Sequence, residues 1–179
     1  MLLKIPGTQV PEYPYLMFYQ AAKEGNWQIA MHILYIFPED IGRSFEESRE
    51  TVLHIAFASK QMDFIKEVVR ILTEEDLEKT NAEGDTALCF AAKLGIVTIA
   101  KELVKKNNRL PLIRNSEGRT PICIAVLFAH REMAEYLCTV TSFEGLSPNE
   151  YMEILMATIT YDMYGMPYIS IICEFKAIN

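Results

Sequence analysis

Few side chains in this chain could do covalent or metal chemistry, and their spacing limits what that chemistry could be. There are three histidines, His32, His54 and His130, and four cysteines, Cys89, Cys123, Cys138 and Cys173. A cysteine beside a histidine would be a nucleophile with its general base. His54 and Cys89 are the pair to weigh, because they hold equivalent places in neighbouring segments of the chain. A working dyad also needs an orienting third group, an oxyanion pocket and an open face. The pattern described below places both residues inside a stack, so no catalytic residues are expected. No C-x-x-C pair occurs, and tetrahedral thiolate sites draw their ligands in such close pairs, so no metal is expected and the cysteines read as free, partly buried thiols. Gly84 and Gly118 precede helices, as phosphate-cradling glycines do. No GxxxxGK[ST] follows them, however, and no lysine stands at the right distance, so no cofactor is expected. The acidic runs Glu46-Glu47 and Glu74-Glu75-Asp76 fall at turns or helix starts, where negative charge complements exposed amides, and they lack calcium-loop spacing.

The elements that hold these residues recur. GDTALCFAAKLG, from Gly84 to Gly95, reads as a turn glycine, a Thr cap, a short apolar helix and a closing glycine. SEGRTPICIAVLFAH, from Ser116 to His130, aligns Gly118 with Gly84, Thr120 with Thr86, Cys123 with Cys89 and Ala125 with Ala91. Upstream, Thr51, His54 and Ala56 fall on the same grid, as do Ala21, Ala22 and Gly25. From Ala21 to Ala56, Ala91 and Ala125 the steps are 35, 35 and 34 residues. So regular a period signals a solenoid, because one short helical hairpin cannot bury its apolar face alone and must stack on its neighbours.

Composition agrees with one compact domain. The chain has 179 residues, half of them apolar and 23% charged, which excludes a disordered or coiled-coil protein. The net charge of -7 argues against nucleic acid as a partner, and the densest basic stretch, Lys101 to Arg109, is short and broken by Glu102. Residues 1–14 carry Pro6, Pro11 and Pro14 and no apolar core of signal-peptide length, so they read as an extended leader. The apolar run Pro121 to Ala129 is too short to span a membrane. The oily stretch 151–173 is interrupted by Glu153, Asp162, Gly165 and Pro167 and reads as buried or interfacial helices.

Taken in order, the pattern predicts an all-α solenoid of helix-turn-helix units over about 15–47, 48–81, 82–115 and 116–141, then a degenerate fifth unit or capping helices over 142–179. In the first unit, Leu16, Tyr19 and Ala21 or Ala22 are expected to point inward, with Ile29, Ala30, Ile33, Leu34 and Phe37 on the partner helix, which Pro38 stops. Arg49 stands where Gly84 and Gly118 stand later, and a non-glycine residue tolerates a left-handed backbone less well, so this hairpin is expected to be irregular. Phe64, Ile65, Val68, Val69 and Leu72 form the apolar face of the second unit's return helix. Thr86 is the best N-cap, and Pro121 follows the Thr120 cap at a first helical position. Ser147-Pro148-Asn149-Glu150 looks like a helix start, and the residues after it could form two helices broken at Tyr164-Gly165.

The unit G-x-T-x-L/I-x-x-A-A resembles the ankyrin repeat, whose length is about 33 residues and whose core reads T-P-L-H-x-A. Here that core is TVLHIAF at 51–57, TALCFAA at 86–92 and TPICIAV at 120–126. More narrowly, residues 100–137 look like the ankyrin region of plant ankyrin proteins that carry a C-terminal multi-helix membrane domain. The resemblance implies a non-enzymatic protein-binding module, with His54 bonding backbone between adjacent units. It further implies a concave groove lined by hairpin tips and first helices. Carried over, Glu83, Asp85, Glu117 and Arg119 flank the tip glycines, and Arg49 and Glu50 stand at matching places. Ala87 and Ile122 follow the caps, while Lys93 and Leu127 or Phe128 lie toward the helix ends. The implied partner is another protein, with no nucleic acid and no membrane span in this chain, in the cytoplasm or at the cytoplasmic face of a membrane. The alternative is a short form of a plant ankyrin membrane signalling protein, acting as a regulator or docking subunit through apolar C-terminal helices, with self-association through 151–173.

Overall fold

The computed structural model describes residues 14–38, 42, 44 and 48–161. Among these, ten α-helices follow one another: α1 (Pro14–Glu24), α2 (Trp27–Ile36), α3 (Val52–Ala58), α4 (Met62–Ile71), α5 (Glu74–Leu77), α6 (Ala87–Leu94), α7 (Val97–Lys106), α8 (Pro121–Leu127), α9 (Arg131–Val140) and α10 (Pro148–Thr160). The expected leader through residue 13, the Tyr164-Gly165 break, any helix after it and Cys173 lie outside the described residues.

Pairing makes four helical hairpins, α1 with α2, α3 with α4, α6 with α7 and α8 with α9. The hairpins stack so that α1, α3, α6, α8 and α10 form an inner row and α4, α7 and α9 pack in an outer row that α2 begins. Small residues set the spacing of the inner row: Ala22, Ala56, Ala91, Ala92 and Ala125 are fully buried and Ala21 nearly so. Large ones fill the space between the rows, among them Leu53, Phe57, Leu88, Ile99, Leu103, Ile122 and Leu137. Close packing of this kind defines one continuous core along the stack.

Local chemistry sets the ends of the helices. Asn26 Oδ1 accepts from Ile29 N at 3.1 Å to open α2, and Thr86 Oγ1 accepts from Cys89 N at 3.4 Å to open α6. Pro121 occupies the first turn of α8, where an amide would have no partner. Ser147 and Glu150 cap α10 reciprocally: Glu150 N donates to Ser147 Oγ at 3.3 Å, and Ser147 N donates to Glu150 Oε2 at 2.8 Å.

Two expectations for the first unit fail. Leu16 is 45% exposed and Ile29 is 40% exposed, although both carry the apolar pattern. Phe64, Ile99 and Met133 stand one, two and three units after Ile29 on the grid and are at most 2% exposed. Phe64 lies edge-on against Trp27 of the unit before it, with ring centroids 5.6 Å apart. Among the described residues no earlier unit covers Ile29. The acidic run Glu74-Glu75-Asp76 does start a helix, the four-residue α5, which Thr73 opens by accepting from Asp76 N at 3.1 Å.

Candidate protein-binding surface

The projecting tips between hairpins are built on asparagine. Asn81 Oδ1 accepts from Asp85 N at 2.9 Å, while Asn115 Oδ1 accepts from Arg119 N at 3.0 Å and Glu117 N at 3.1 Å. Each tip also bonds to the next: Ala82 N donates to Ser48 O at 2.9 Å, and Ser116 N donates to Glu83 O at 2.9 Å. The chain reverses at Arg49, Gly84 and Gly118, with φ of 55°, 77° and 77°. Arg49 therefore adopts the left-handed conformation that its grid position demands. A side chain at Gly84 would place its Cβ 2.5 Å from Ser116 N, whereas Gly118 has open space around it. The third tip is thus fixed by close approach of the next tip as well as by φ.

His54 secures the second unit to the third. Its Nδ1 accepts from Thr51 N at 3.0 Å, so Nε2 carries the proton and donates to Asp85 O at 3.0 Å. Burial pushes the imidazole down to about 4, outweighing the Asp85 carbonyl and the nearby acids, which act to raise it. At the same grid position Cys89 and Cys123 meet Thr86 Oγ1 and Thr120 Oγ1 at 3.5 and 3.4 Å. Burial raises all three described thiols, that of Cys89, that of Cys123 to about 11 and that of Cys138 to about 12, so these sulfurs stay protonated and unreactive near neutral pH.

The sequence-derived binding residues divide on placement. Glu83 and Arg49 are exposed, Glu50 is half-buried and Phe128 is 55% exposed at the end of α8. Asp85 does not project from its tip. It is 1% exposed, accepting from Lys93 Nζ and from Asn115 Nδ2 at 3.2 Å. The tip read in isolation does not show this, since Lys93 and Asn115 lie eight and 30 residues on. Lys93 is committed in turn: its ammonium sits 5.6 Å from the Phe90 ring centroid, and its carbonyl accepts from His130 Nε2 at 2.9 Å. Arg119 pairs with Glu117 and, through Nε, with Glu153 Oε1 of α10 at 2.9 Å. Ala87 and Ile122 are buried and line no groove.

Pattern reasoning missed three contacts that bind units together. Lys106 Nζ donates to Val69 O and Arg70 O, each at 2.7 Å, closing the end of α4 from the end of α7. Asn107 Nδ2 donates to Glu74 O at 3.0 Å and Glu78 Oε1 at 2.8 Å. Arg114 donates through Nη2 to Glu150 Oε2 at 2.9 Å and to Gly145 O at 2.6 Å. Burial would raise the Glu150 carboxyl, yet the Ser147 and Arg114 hydrogen bonds hold it below its ordinary value. Lys106 and Asn107 are polar residues at the end of α7, where carbonyls lack partners, and that is the signal that could have flagged them; Arg114, in the connection before α8, offers none.

Among the described residues no group of His, Cys, Asp and Glu is arranged to hold a metal ion, and no helix is long and apolar enough to cross a membrane. Stacked helical hairpins with hydrogen-bonded tips define the class, a helix-turn-helix repeat solenoid. Residues 18–108 and 58–150 match ankyrin repeats (3 copies), which together is more than half of the chain, and the chain belongs to that family. Over 62 residues it is 39% identical to a putative ankyrin repeat protein of Rickettsia bellii (strain RML369-C), a match covering 35% of this chain and 36% of that protein. The chain thus matches about a third of that relative's length. Its fold is similar to a chain in the crystal structure of the yeast ribosomal protein Rps3 in complex with its chaperone Yar1. That likeness has a TM-score of 0.63 at 23% identity and covers 75% of this chain and 95% of that one; it speaks for the fold.

Proposed function

We propose that the chain binds another protein along the tips and inner helices of its stack, whose units run over about 15–47, 48–81, 82–115 and 116–141 with a degenerate fifth unit or capping helices over 142–179. The observation that carries this reading is the division of labour at the tips. Backbone bonds between Ser48, Ala82, Glu83 and Ser116 hold the tips rigid, while Glu83 on its tip and Phe128 at the far end of α8 face solvent. A surface already ordered in this way loses little conformational entropy when a partner docks. Arg49, Glu50, Glu117 and Arg119 would complete the contact. Asp85 and Lys93 would support it from beneath through their buried pair. The test is affinity capture with the wild-type chain, a Glu83→Ala/Glu117→Ala/Phe128→Ala variant and a Lys105→Ala/Glu132→Ala variant of the outer row. A partner lost only with the first variant supports the reading. One lost only with the second places recognition on the opposite face.

A narrower reading, a short form of a plant ankyrin membrane signalling protein working at the cytoplasmic face of a membrane, rests on residues 100–137. The exposed apolar face of α10 favours it, since that face could dock on a longer relative. Direct binding to such a relative, abolished by Met156→Glu and indifferent to the tip variant, is the result it requires.

A further inference from the structure

Two grooves of the outer row carry equivalent cations but not equivalent acids. On the repeat grid Asp63, Thr98 and Glu132 stand 35 and 34 residues apart, each the second residue of its helix, α4, α7 and α9. Only the middle one is uncharged. Lys66 and Arg70 of α4 likewise match Lys101 and Lys105 of α7, and within each pair the two cations lie one turn apart on the same helix face. These cations reach toward the next helix: Lys101 Nζ sits 5.7 Å from the ring centroid of Tyr136 on α9. There Glu132 lies one turn before Tyr136 and supplies an acid to that groove.

Between α4 and α7 the acid's place is taken by the exposed hydroxyl residue Thr98. Lys66 and Arg70 line a cavity of about 150 Å³ there, together with Thr98, Ile99 and Glu102. Negative charge is favourable near the start of any helix, so it is the two cations across this cavity that single Thr98 out. Lys66 and Arg70 have partners on their own helix, Asp63 at 3.2 Å and Glu67 at 2.5 Å, but these pairs lie in water and rearrange at little cost. Both cations can therefore turn toward a new charge in the cavity.

We propose that Thr98 is a phosphorylation site, whose phosphate fills this cavity and pairs with Lys66 and Arg70, fastening the third unit to the second. A protein kinase with ATP supplies the group: Thr98 Oγ1 bonds to the γ-phosphorus, the bond from that phosphorus to the departing ADP oxygen breaks, and the hydroxyl proton passes to a base of the kinase. The phosphate brings about two negative charges and three acceptor oxygens, enough to engage both cations. Glu102, one turn on, opposes the added charge, yet α4 already carries Asp63 and Glu67 at that spacing, each against a cation. A free anion is the weaker occupant, because the ester holds its phosphate beside the cations at high local concentration. The far ends of α4 and α7 are already tied by Lys106, which donates to Val69 O and Arg70 O. Modification would close the same interface at both ends.

Trypsin cleaves after Lys93 and Lys101 and releases residues 94–101, in which Thr98 is the only hydroxyl residue. Mass spectrometry of the chain recovered from the cells that make it, with phosphatases inhibited, should find one phosphate on that peptide. A peptide always free of phosphate would overturn the proposal. The groove is tested on the full chain with phosphothreonine placed at position 98 by genetic code expansion. Its folding equilibrium constant from urea unfolding should rise about three- to tenfold over the unmodified chain. Phosphorus NMR should show the phosphate titrating at lower pH than in the same chain with Lys66→Gln/Arg70→Gln, which should also lose the gain in stability. Thr98→Glu should give a smaller rise that the same double substitution removes, and Thr98→Gln, of similar size without the charge, should give none. A gain that survives Lys66→Gln/Arg70→Gln would belong to the helix start alone and would overturn the pairing. A saturable shift of the groove's amide signals when the unmodified chain meets millimolar inorganic phosphate would make this a ligand site, and would overturn the proposal too.

Discussion

Arg49 adopts φ of 55° where its counterparts Gly84 and Gly118 adopt 77°, and only a residue without a Cβ does this without strain. Arg49→Gly should therefore raise the unfolding free energy by about 0.5–1 kcal/mol, read from the urea midpoint. The two glycines should respond unequally to alanine. Gly118→Ala meets open space and should cost about 1 kcal/mol of backbone strain alone. Gly84→Ala must also push Ser116 N away from 2.5 Å, so its loss should be about 2 kcal/mol or more. Equal losses would show that the tip-to-tip approach is softer than its geometry indicates. The strain at Arg49 was legible in the sequence because the grid aligned it with two glycines. The burial of Asp85 was not, because a carboxylate's surroundings depend on residues brought in from the next unit.

At the scale of elements, periodicity located the paired helices well wherever a neighbour lies on both sides. It failed for Ile29, whose apolar counterparts Phe64, Ile99 and Met133 are buried but whose unit has no predecessor among the described residues, and for Leu16, which stands at the grid position of Thr51, Thr86 and Thr120. At α5 only the acidic first turn was a signal, since four residues are too few to display a period. The attachment of α10 was half legible: the Ser147 and Glu150 cap could be read, but its tie to Arg114 could not. Glu150 is 3% exposed and its second oxygen, Oε1, has no hydrogen-bond partner, so its carboxylate depends on Arg114 for its counter-charge. Arg114→Gln should destabilise the chain by about 2 kcal/mol, below the usual range for a broken buried pair because Arg114 is itself partly in water. Protease protection of α10 should fall before that of α8. Unchanged protection would mean that the apolar contacts of Tyr151 and Ile154 hold α10 by themselves.

Across the whole molecule, a solenoid holds each unit only through its neighbours, so one weakened interface can divide it. His54 sits at such an interface, bonded within α3 and to the carbonyl of Asp85 in the next unit. Its folded pKa of about 4 lies below the ordinary 6.5, so between these values the unfolded chain binds a proton that the folded chain refuses. Stability is therefore full above about 6.5 and is lost as pH falls toward 4, by roughly 3 kcal/mol in total. The Asp76 and Glu150 carboxyls are also held below their ordinary values and add loss in acid, but only as pH falls below the carboxylate range. Trp27 is the single tryptophan and packs on Phe64, so its fluorescence reports the units before the His54 interface, whereas circular dichroism reports every helix. In urea at pH 7.5 the two signals should change together. Near pH 5 the tryptophan transition should move to lower urea than the dichroism transition, because the units ahead of α6 come away first. In His54→Gln the midpoint should be lower at pH 7.5 and nearly flat between the two pH values, since the group that takes up the proton is gone. If the wild-type transitions stay coincident at both pH values, the stack unfolds as one body and the His54 contact does not divide it.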